Sequence, residues 1–358
     1  MAALFRWLGW LVAFVRSYLR LNTLLFRATT GTLMRRFRYG PRRPTWSRQF
    51  ETMVQVMALG LPHARAFDVN DIRTPLKRLT GLPLPLWLFI HPATDCPVPA
   101  EWVRTPKVTS GPVMLYLHGG GFVAGSPQTH RLLTTQLARV TRLRILAVDY
   151  RLAPEHPYPA ALADAWAAYW WLLTEGVSPA EIIVAGDSAG GGLAVALLVA
   201  LRDANMPLPA GAVCLSPWFD LALEGASVHQ RDTIDYLNEQ VLAGCADHYL
   251  NGTDPHAPLA SPLYADLRGL PPLLIQASAT ELLVDDSRRL AARARAAGVE
   301  VELDLREDLV HVFQFFFLIS SRARAALDRI ERFISKHIPQ PPEAEQATSR
   351  SAPVPTGG

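Results

Sequence analysis

The chain has 358 residues, of which 49% are apolar and 19% charged, with a formal net charge of +3. That composition supplies a large core and excludes a globally disordered chain. Cys96, Cys214 and Cys245 are odd in number, far apart and in no metal spacing, which excludes a disulfide scaffold and fits a reducing, cytoplasmic setting.

The small net charge hides a division. Residues 1–65 carry eleven arginines, no lysine and a single acid, Glu51. The remainder, from residue 66 on, has 24 basic and 31 acidic side chains. A basic arm on an acidic body implies that the two parts meet different surroundings.

In chain order, residues 1–28 come first. At about 100° per residue, Arg6, Arg16, Arg20 and Arg27 share an arc of about 80° if the segment is one helix. Leu4, Phe5, Trp7, Leu8, Leu11, Phe14, Val15, Leu19 and Leu21 fill most of the rest. A wide apolar face opposite an arginine stripe suits a helix lying in a bilayer interface, peripheral on the inner membrane face. The alternative is a helix covering the body with its arginines in water. Interleaving with bulky aliphatics argues against nucleic acid as a partner. The apolar run Trp7–Val15 is far short of the ~20 residues that a span needs.

From about residue 84, short apolar runs alternate with helical patterns. Strands are expected at Leu86–Ile90, Val113–Leu117, Arg144–Val148, Ile182–Ala185, Ala212–Leu215, Leu273–Ala277 and Val299–Leu303. Helices are expected at Thr129–Val140, Ala160–Thr174, Gly191–Ala204, Asp286–Ala297 and Arg322–Lys336. Such alternation predicts a mostly parallel sheet with helices on both faces. Residues 217–261 interrupt it as a helical or irregular insertion, and the Pro-rich stretch 339–358 reads as a disordered tail.

Two glycine-rich motifs sit at strand ends. Gly186-Asp187-Ser188-Ala189-Gly190 follows one strand and opens a helix, a setting that puts Ser188 on a sharp elbow with its hydroxyl exposed. His118-Gly119-Gly120-Gly121-Phe122 follows another. Acyl transfer builds negative charge on a carbonyl oxygen, and glycines let backbone N–H groups approach it closely. The N–H groups of Gly120, Gly121 and Ala189 are therefore the expected oxyanion hole. The spacing of Gly119, Gly121 and Gly125 is not that of a dinucleotide fingerprint, and no phosphate-loop lysine follows.

A serine nucleophile needs a base, and the base needs an orienting acid. Both should follow the serine in chain order, after late strands. His311 is the only histidine between His256 and His337, so it is the expected base. His118, in the glycine turn, and His156, in a Pro-rich turn, read as structural, as does Asp187 beside the serine. For the acid, Glu281 comes soonest after the strand Leu273–Ala277, and Asp285 is the backup; either can also be an acid at a helix N-terminus.

Together these stretches resemble the hormone-sensitive-lipase family of α/β-hydrolases, in its bacterial carboxylesterase branch. The matching motifs are HGGGF from His118, DYRLAPEHPYPAAL from Asp149, GDSAGG from Gly186, LSPWFDL from Leu215, SPLYADLRGLPPLLIQ from Ser261, ELLVDDS from Glu281 and HVF from His311. The resemblance implies an eight-stranded sheet and a helical cap built from the N-terminal region and the segment after the sixth strand. The organisation is then a basic N-terminal segment with cap helices (1–75), a catalytic domain (76–338, with a cap insertion at 217–261) and the tail. Many members carry Asp where Glu281 stands. The Arg151 and Glu155 positions are structural in the family, and their i, i+4 spacing around Pro154 suggests an ion pair with each other.

The implied activity is hydrolysis of short-to-medium-chain carboxylic esters, small-molecule substrates, through an acyl-serine, with no metal or organic cofactor required. Alternatives on the same machinery are lactone opening, deacetylation of a natural product and interfacial lipolysis. A different class is a ligand-binding receptor, from which the presence of both Ser188 and His311 argues away.

Overall fold

The computed structural model describes residues 22–60, 68–79, 90–106, 108–230 and 234–338. The greater part of the proposed interfacial helix (1–21), most of the first expected strand (86–89) and the expected tail (339–358) lie outside the described residues.

Three helices come first: α1 over residues 22–39, α2 Arg48–Gly60 and α3 Val69–Leu79. Glu51 of α2 is buried, and its two oxygens take Arg35 at 2.6 Å and Arg36 at 2.7 Å, both from α1. The only acid of the basic arm thus binds two of its eleven arginines and ties α1 to α2.

Eight strands follow: β1 Ile90–Pro92, β2 Ala100–Val103, β3 Val113–Leu117, β4 Arg144–Val148, β5 Ile182–Asp187, β6 Gly211–Leu215, β7 Leu273–Ser278 and β8 Val301–Arg306. They form one sheet in the order β1-β2-β4-β3-β5-β6-β7-β8. The β1–β2 and β2–β4 pairs are antiparallel and all others are parallel. The α/β fold expected from the alternation is the one observed.

Strand β2 was not expected. It has only four residues, AEWV, and carries a buried acid, Glu101, which meets Arg131 at 2.7 Å. A short strand next to the sheet edge, preceded by Pro99 and holding a paired charge, shows none of the apolar continuity that marks the central strands.

The central strands are buried on both faces, as parallel strands between helices must be. Alternate residues of β3 face different cores. Val113, Leu115 and Leu117 pack with residues of α5 (Ala160–Thr174) and α6 (Ala189–Asp203). Met114 and Tyr116 pack with residues of α4 (Pro127–Thr141), α9 (Ser321–His337) and α2. The helix starts are chemically marked: Ser126 caps α4 through a reciprocal capping box with Thr129, with Pro127 at its first position.

Residues 217–261 contain α7 (Glu239–Leu250) and one short 3-10 turn, with no strand among the described residues. The Asn238 side chain caps α7 by accepting from the Val241 N–H at 2.9 Å. Helix α8 (Val284–Ala296) follows β7. No helix among the described residues is long and apolar enough to cross a membrane.

Candidate active site

Parallel strands deliver their carboxyl ends to one edge of the sheet, where ligands bind in open α/β folds. His118 follows β3, Ser188 follows β5, Glu281 follows β7 and His311 follows β8. Because Leu117 pairs with Gly186, the two glycine motifs leave the sheet side by side.

Ser188 forms the turn between β5 and α6 with φ 52° and ψ −121°. A non-glycine residue there is strained by an amount on the order of 1–3 kcal/mol and must be held by its surroundings. Its N–H donates to Leu215 O at 2.9 Å, and its carbonyl accepts from Trp218 N–H at 2.9 Å and Gly191 N–H at 3.0 Å. The glycines make room for this. A Cβ on Gly190 would lie 2.0 Å from the Leu117 carbonyl oxygen, so α6 starts directly against the end of β3.

The Ser188 Oγ lies 2.9 Å from His311 Nε2. Both residues are nearly enclosed, at 9% and 3% exposure. On the far side of the ring, Nδ1 lies 3.8 Å from Glu281 Oε1. The other Glu281 oxygen accepts from the Ser216 hydroxyl at 2.8 Å and the Ser278 N–H at 3.1 Å. Burial opposes an imidazolium at His311, yet Glu281, with Asp235 and Asp187, carries the ring above its ordinary value. Burial in turn raises the Glu281 carboxyl, against the pull of His311 and Ser216.

Asp285, the backup acid, is engaged elsewhere. It accepts from the Ser227 N–H at 2.9 Å and meets Arg288 at 3.1 Å. Of the two carboxylates, Glu281 is the one brought to His311.

Gly120 (φ 121°) and Gly121 (φ 65°) adopt backbone that a side chain resists. Among the described residues, their N–H groups donate no hydrogen bond. Ala189 opens α6, where N–H groups lack intrahelical acceptors. Gly121 is also pinned by the insertion after β6: a Cβ there would sit 2.6 Å from Cys245 Sγ of α7.

His118 and Asp187 belong to a buried network behind this loop. Asp187 accepts from Tyr116 Oη–H at 2.6 Å and Gly119 N–H at 3.0 Å, and lies 3.3 Å from His130 Nε2. His118 stacks on Tyr150 at 4.2 Å. Burial, helped by neighbouring His130, lowers its imidazole to about 3, so it is neutral at ordinary pH. His130 was not singled out in the sequence; it lies in the first turn of a helix, with nothing in its spacing to distinguish it.

The expected Arg151–Glu155 pair is corrected. Arg151 meets Asp164 of α5 at 2.7 Å, and Glu155 meets Arg73 of α3 at 2.6 Å. Residues 151–155 form a turn, not a helix, so the i, i+4 spacing does not put the two side chains on one face. Both remain in ion pairs, each tying the turn to a different helix.

The sequence reading also missed Asp235, Tyr236 and Ser216. They reach His311 and its neighbour through the backbone: Asp235 accepts from the His311 N–H, Tyr236 donates to the His311 carbonyl, and Ser216 accepts from the Val312 N–H. Contacts of that kind leave no motif.

Comparison with known proteins completes the picture. A sequence profile for the α/β-hydrolase fold matches residues 114–315. An acetyl-hydrolase of Streptomyces hygroscopicus is 48% identical over 236 residues, 66% of this chain and 79% of that protein. An esterase of Acinetobacter venetianus is 35% identical over 80% of this chain and 96% of its own length. A crystal structure of an esterase from the bacterial hormone-sensitive-lipase family superposes with a TM-score of 0.77 at 44% identity, over 82% of this chain and 99% of that one. The chain belongs to the hormone-sensitive-lipase family of α/β-hydrolases. It is a carboxylic ester hydrolase, and the family works through an acyl-serine. In this hydrolase, Cys96, Cys214 and Cys245 are free thiols.

Proposed function

We propose that Ser188, His311 and Glu281 form the catalytic triad of an esterase for short-to-medium-chain carboxylic esters. The observation that carries the assignment is the 2.9 Å approach of His311 Nε2 to Ser188 Oγ at the carboxyl edge of the sheet. His311 takes the Ser188 proton as Oγ bonds to the ester carbonyl carbon. Gly120, Gly121 and Ala189 N–H groups receive the oxyanion. His311 then protonates the departing alcohol, afterwards takes a proton from water as the hydroxide bonds to the acyl carbon, and returns that proton to Ser188 Oγ as the acyl–oxygen bond breaks and the acid is released. Glu281 fixes the ring tautomer and offsets its charge.

Two features support a small acyl group: the near-complete enclosure of Ser188 and the acetyl-hydrolase relative. The test pairs Ser188→Ala with p-nitrophenyl esters from C2 to C16. Ser188→Ala is expected to lower hydrolysis by orders of magnitude in a folded protein, and the parent to peak at a short chain. Near-parent rates in the variant, or a C16 optimum, would refute the respective part. The rest of the organisation belongs to the same proposal: residues 1–75 and 217–261 as cap, 76–338 as catalytic domain.

One observation also favours contact with an anionic membrane surface. On α1, Phe26, Leu33, Met34 and Phe37 are exposed, Phe37 at 96%. On a 100° wheel Phe26, Leu33 and Phe37 fall within an arc of about 40°, with exposed Arg27 and Arg38 about 80–140° round from them. A peripheral esterase held at the inner membrane face by residues 1–28 and this row is the reading. Deleting residues 1–28 or introducing Phe26→Ser with Phe37→Ser should abolish co-sedimentation with phosphatidylglycerol vesicles. Unchanged binding, or no binding by the full chain, would leave the arm as cap structure.

A further inference from the structure

The loop that carries the base is gripped from the cap. Asp235 and Tyr236 lie in the insertion after β6, just before α7. Asp235 Oδ1 accepts from the His311 backbone N–H at 3.1 Å, and Oδ2 accepts from the Leu282 N–H at 3.2 Å. Leu282 adjoins Glu281. One carboxylate therefore spans the loop of the acid and the loop of the base. The next residue completes the hold: Tyr236 Oη–H donates to the His311 carbonyl at 2.8 Å, and its ring stands 6.0 Å from the imidazole at 70°.

The turn being held is not one the backbone adopts by itself. Val312 has φ 44° and Asp308 φ 55°. A β-branched residue in left-handed backbone is an outlier that persists only where its surroundings over-determine it. Here both backbone groups of His311 are taken by the cap, and the Val312 N–H goes to Ser216 Oγ at 2.9 Å.

We propose that Asp235 and Tyr236 are positioning residues that set His311 against Ser188 and Glu281, coupling the cap to the triad through the backbone of the base. The proposal rests on the triad reading above. A shift on the order of 1 Å at a reacting group can cost about a hundredfold in rate, so small relaxations of this turn matter. The acidic groups facing the His311 ring are Glu281 after β7, Asp235 from the cap and Asp187 of β5. All three favour its protonated form, so neutralising Asp235 also makes the ring less basic.

The experiment compares Asp235→Asn and Tyr236→Phe with the parent, using p-nitrophenyl acetate across pH 5–9, with thermal unfolding and Ser188→Ala alongside. Asp235→Asn is expected to lower kcat about a hundredfold, with KM changed less than about threefold, and to move the acid limb of kcat/KM to lower pH. Tyr236→Phe, nearly isosteric and expected to fold, should lower kcat about tenfold and leave that limb in place. If Asp235→Asn does not fold, Tyr236→Phe decides alone. Parent-like kcat in the folded variants overturns the proposal. So does a fall in kcat that only follows loss of folded protein, or an unmoved acid limb in a folded Asp235→Asn. Retained hydrolysis in Ser188→Ala would instead bring down the triad reading itself.

Discussion

The two halves of the site are built differently. The serine half is a product of adjacent central elements: β3 pairs with β5, and α6 starts where β5 ends. Its strained residue is held mostly by backbone, and its clearances are set by glycines. The histidine half sits on a loop after the edge strand β8 and is held mostly by side chains from elsewhere, including Ser216, Asp235, Tyr236 and Ser278. Rigid scaffolding fixes Ser188, the proposed nucleophile, and a set of individually modest hydrogen bonds fixes His311, the proposed base. The first half should fail by not folding, the second by losing rate while staying folded.

The largest expected effect tests the first half. Gly190→Ala puts a methyl group 2.0 Å from Leu117 O and 2.6 Å from His118 O, both backbone atoms that cannot swing away. Overpacking of this severity should cost more than about 3 kcal/mol. Soluble yield and the thermal midpoint should both fall sharply. A variant with a parent-like midpoint would show that the elbow is softer than this comparison requires.

Next comes the acid. Glu281→Gln keeps the shape but removes the charge facing His311, and should lower kcat by about a thousandfold or more with little change in melting. Asp285→Asn should leave kcat within about twofold, because Asp285 spends its oxygens on Ser227 and Arg288. Equal losses in the two variants would mean that the 3.8 Å separation between Glu281 and His311 is not the one used in catalysis.

This division also explains what could be read from the chain. Val113–Leu117 and Arg144–Val148 coincide with the observed strands, and Ala160–Thr174 with the observed helix. Runs buried on both faces and long apolar helices write their burial directly into composition. The elbow and glycine loop were legible for a related reason: close backbone approach admits only small residues, and that leaves a motif. Strand β2 was illegible because its pairing depends on β4 and on the Glu101–Arg131 contact. The Arg151 and Glu155 partners were illegible because the ion-pair rule presumes a helix that the turn does not provide. Asp235 and Tyr236 bond a backbone more than 70 positions away, and any carboxylate or phenol in the insertion looks alike until the fold brings them there.

The pH profile is a milder probe of the second half. The base must be neutral to accept the Ser188 proton, and the surrounding carboxylates favour its protonated form. Its transition should therefore lie above the ordinary histidine value of about 6.5. Below that transition, kcat/KM should fall about tenfold per pH unit. A profile flat down to pH ~5 would remove His311 as base. Glu281→Gln should move the limb to lower pH, since it removes the carboxylate nearest the ring.

The smallest effect comes from the most distant support. Trp46, in the N-terminal segment, donates its indole N–H to Asp308 O at 2.7 Å, while Thr45 reaches the Asp308 carboxylate at 3.1 Å. The base loop is thus held from the N-terminal segment as well as from the insertion. Trp46 is buried and packs edge-on against Phe50, which in turn meets Phe316 beyond His311. Trp46→Phe keeps an aromatic ring but leaves the Asp308 carbonyl without that donor, at a cost of about 1–2 kcal/mol of stability. Two residues separate Asp308 from His311, and the direct hold on His311 survives through Asp235 and Tyr236. The loss in kcat should therefore stay below about fivefold, measured beside the drop in melting temperature. A fall as deep as that of Glu281→Gln would mean that the whole loop moves as one rigid piece. The base would then depend as much on the N-terminal segment as on the residues that touch it.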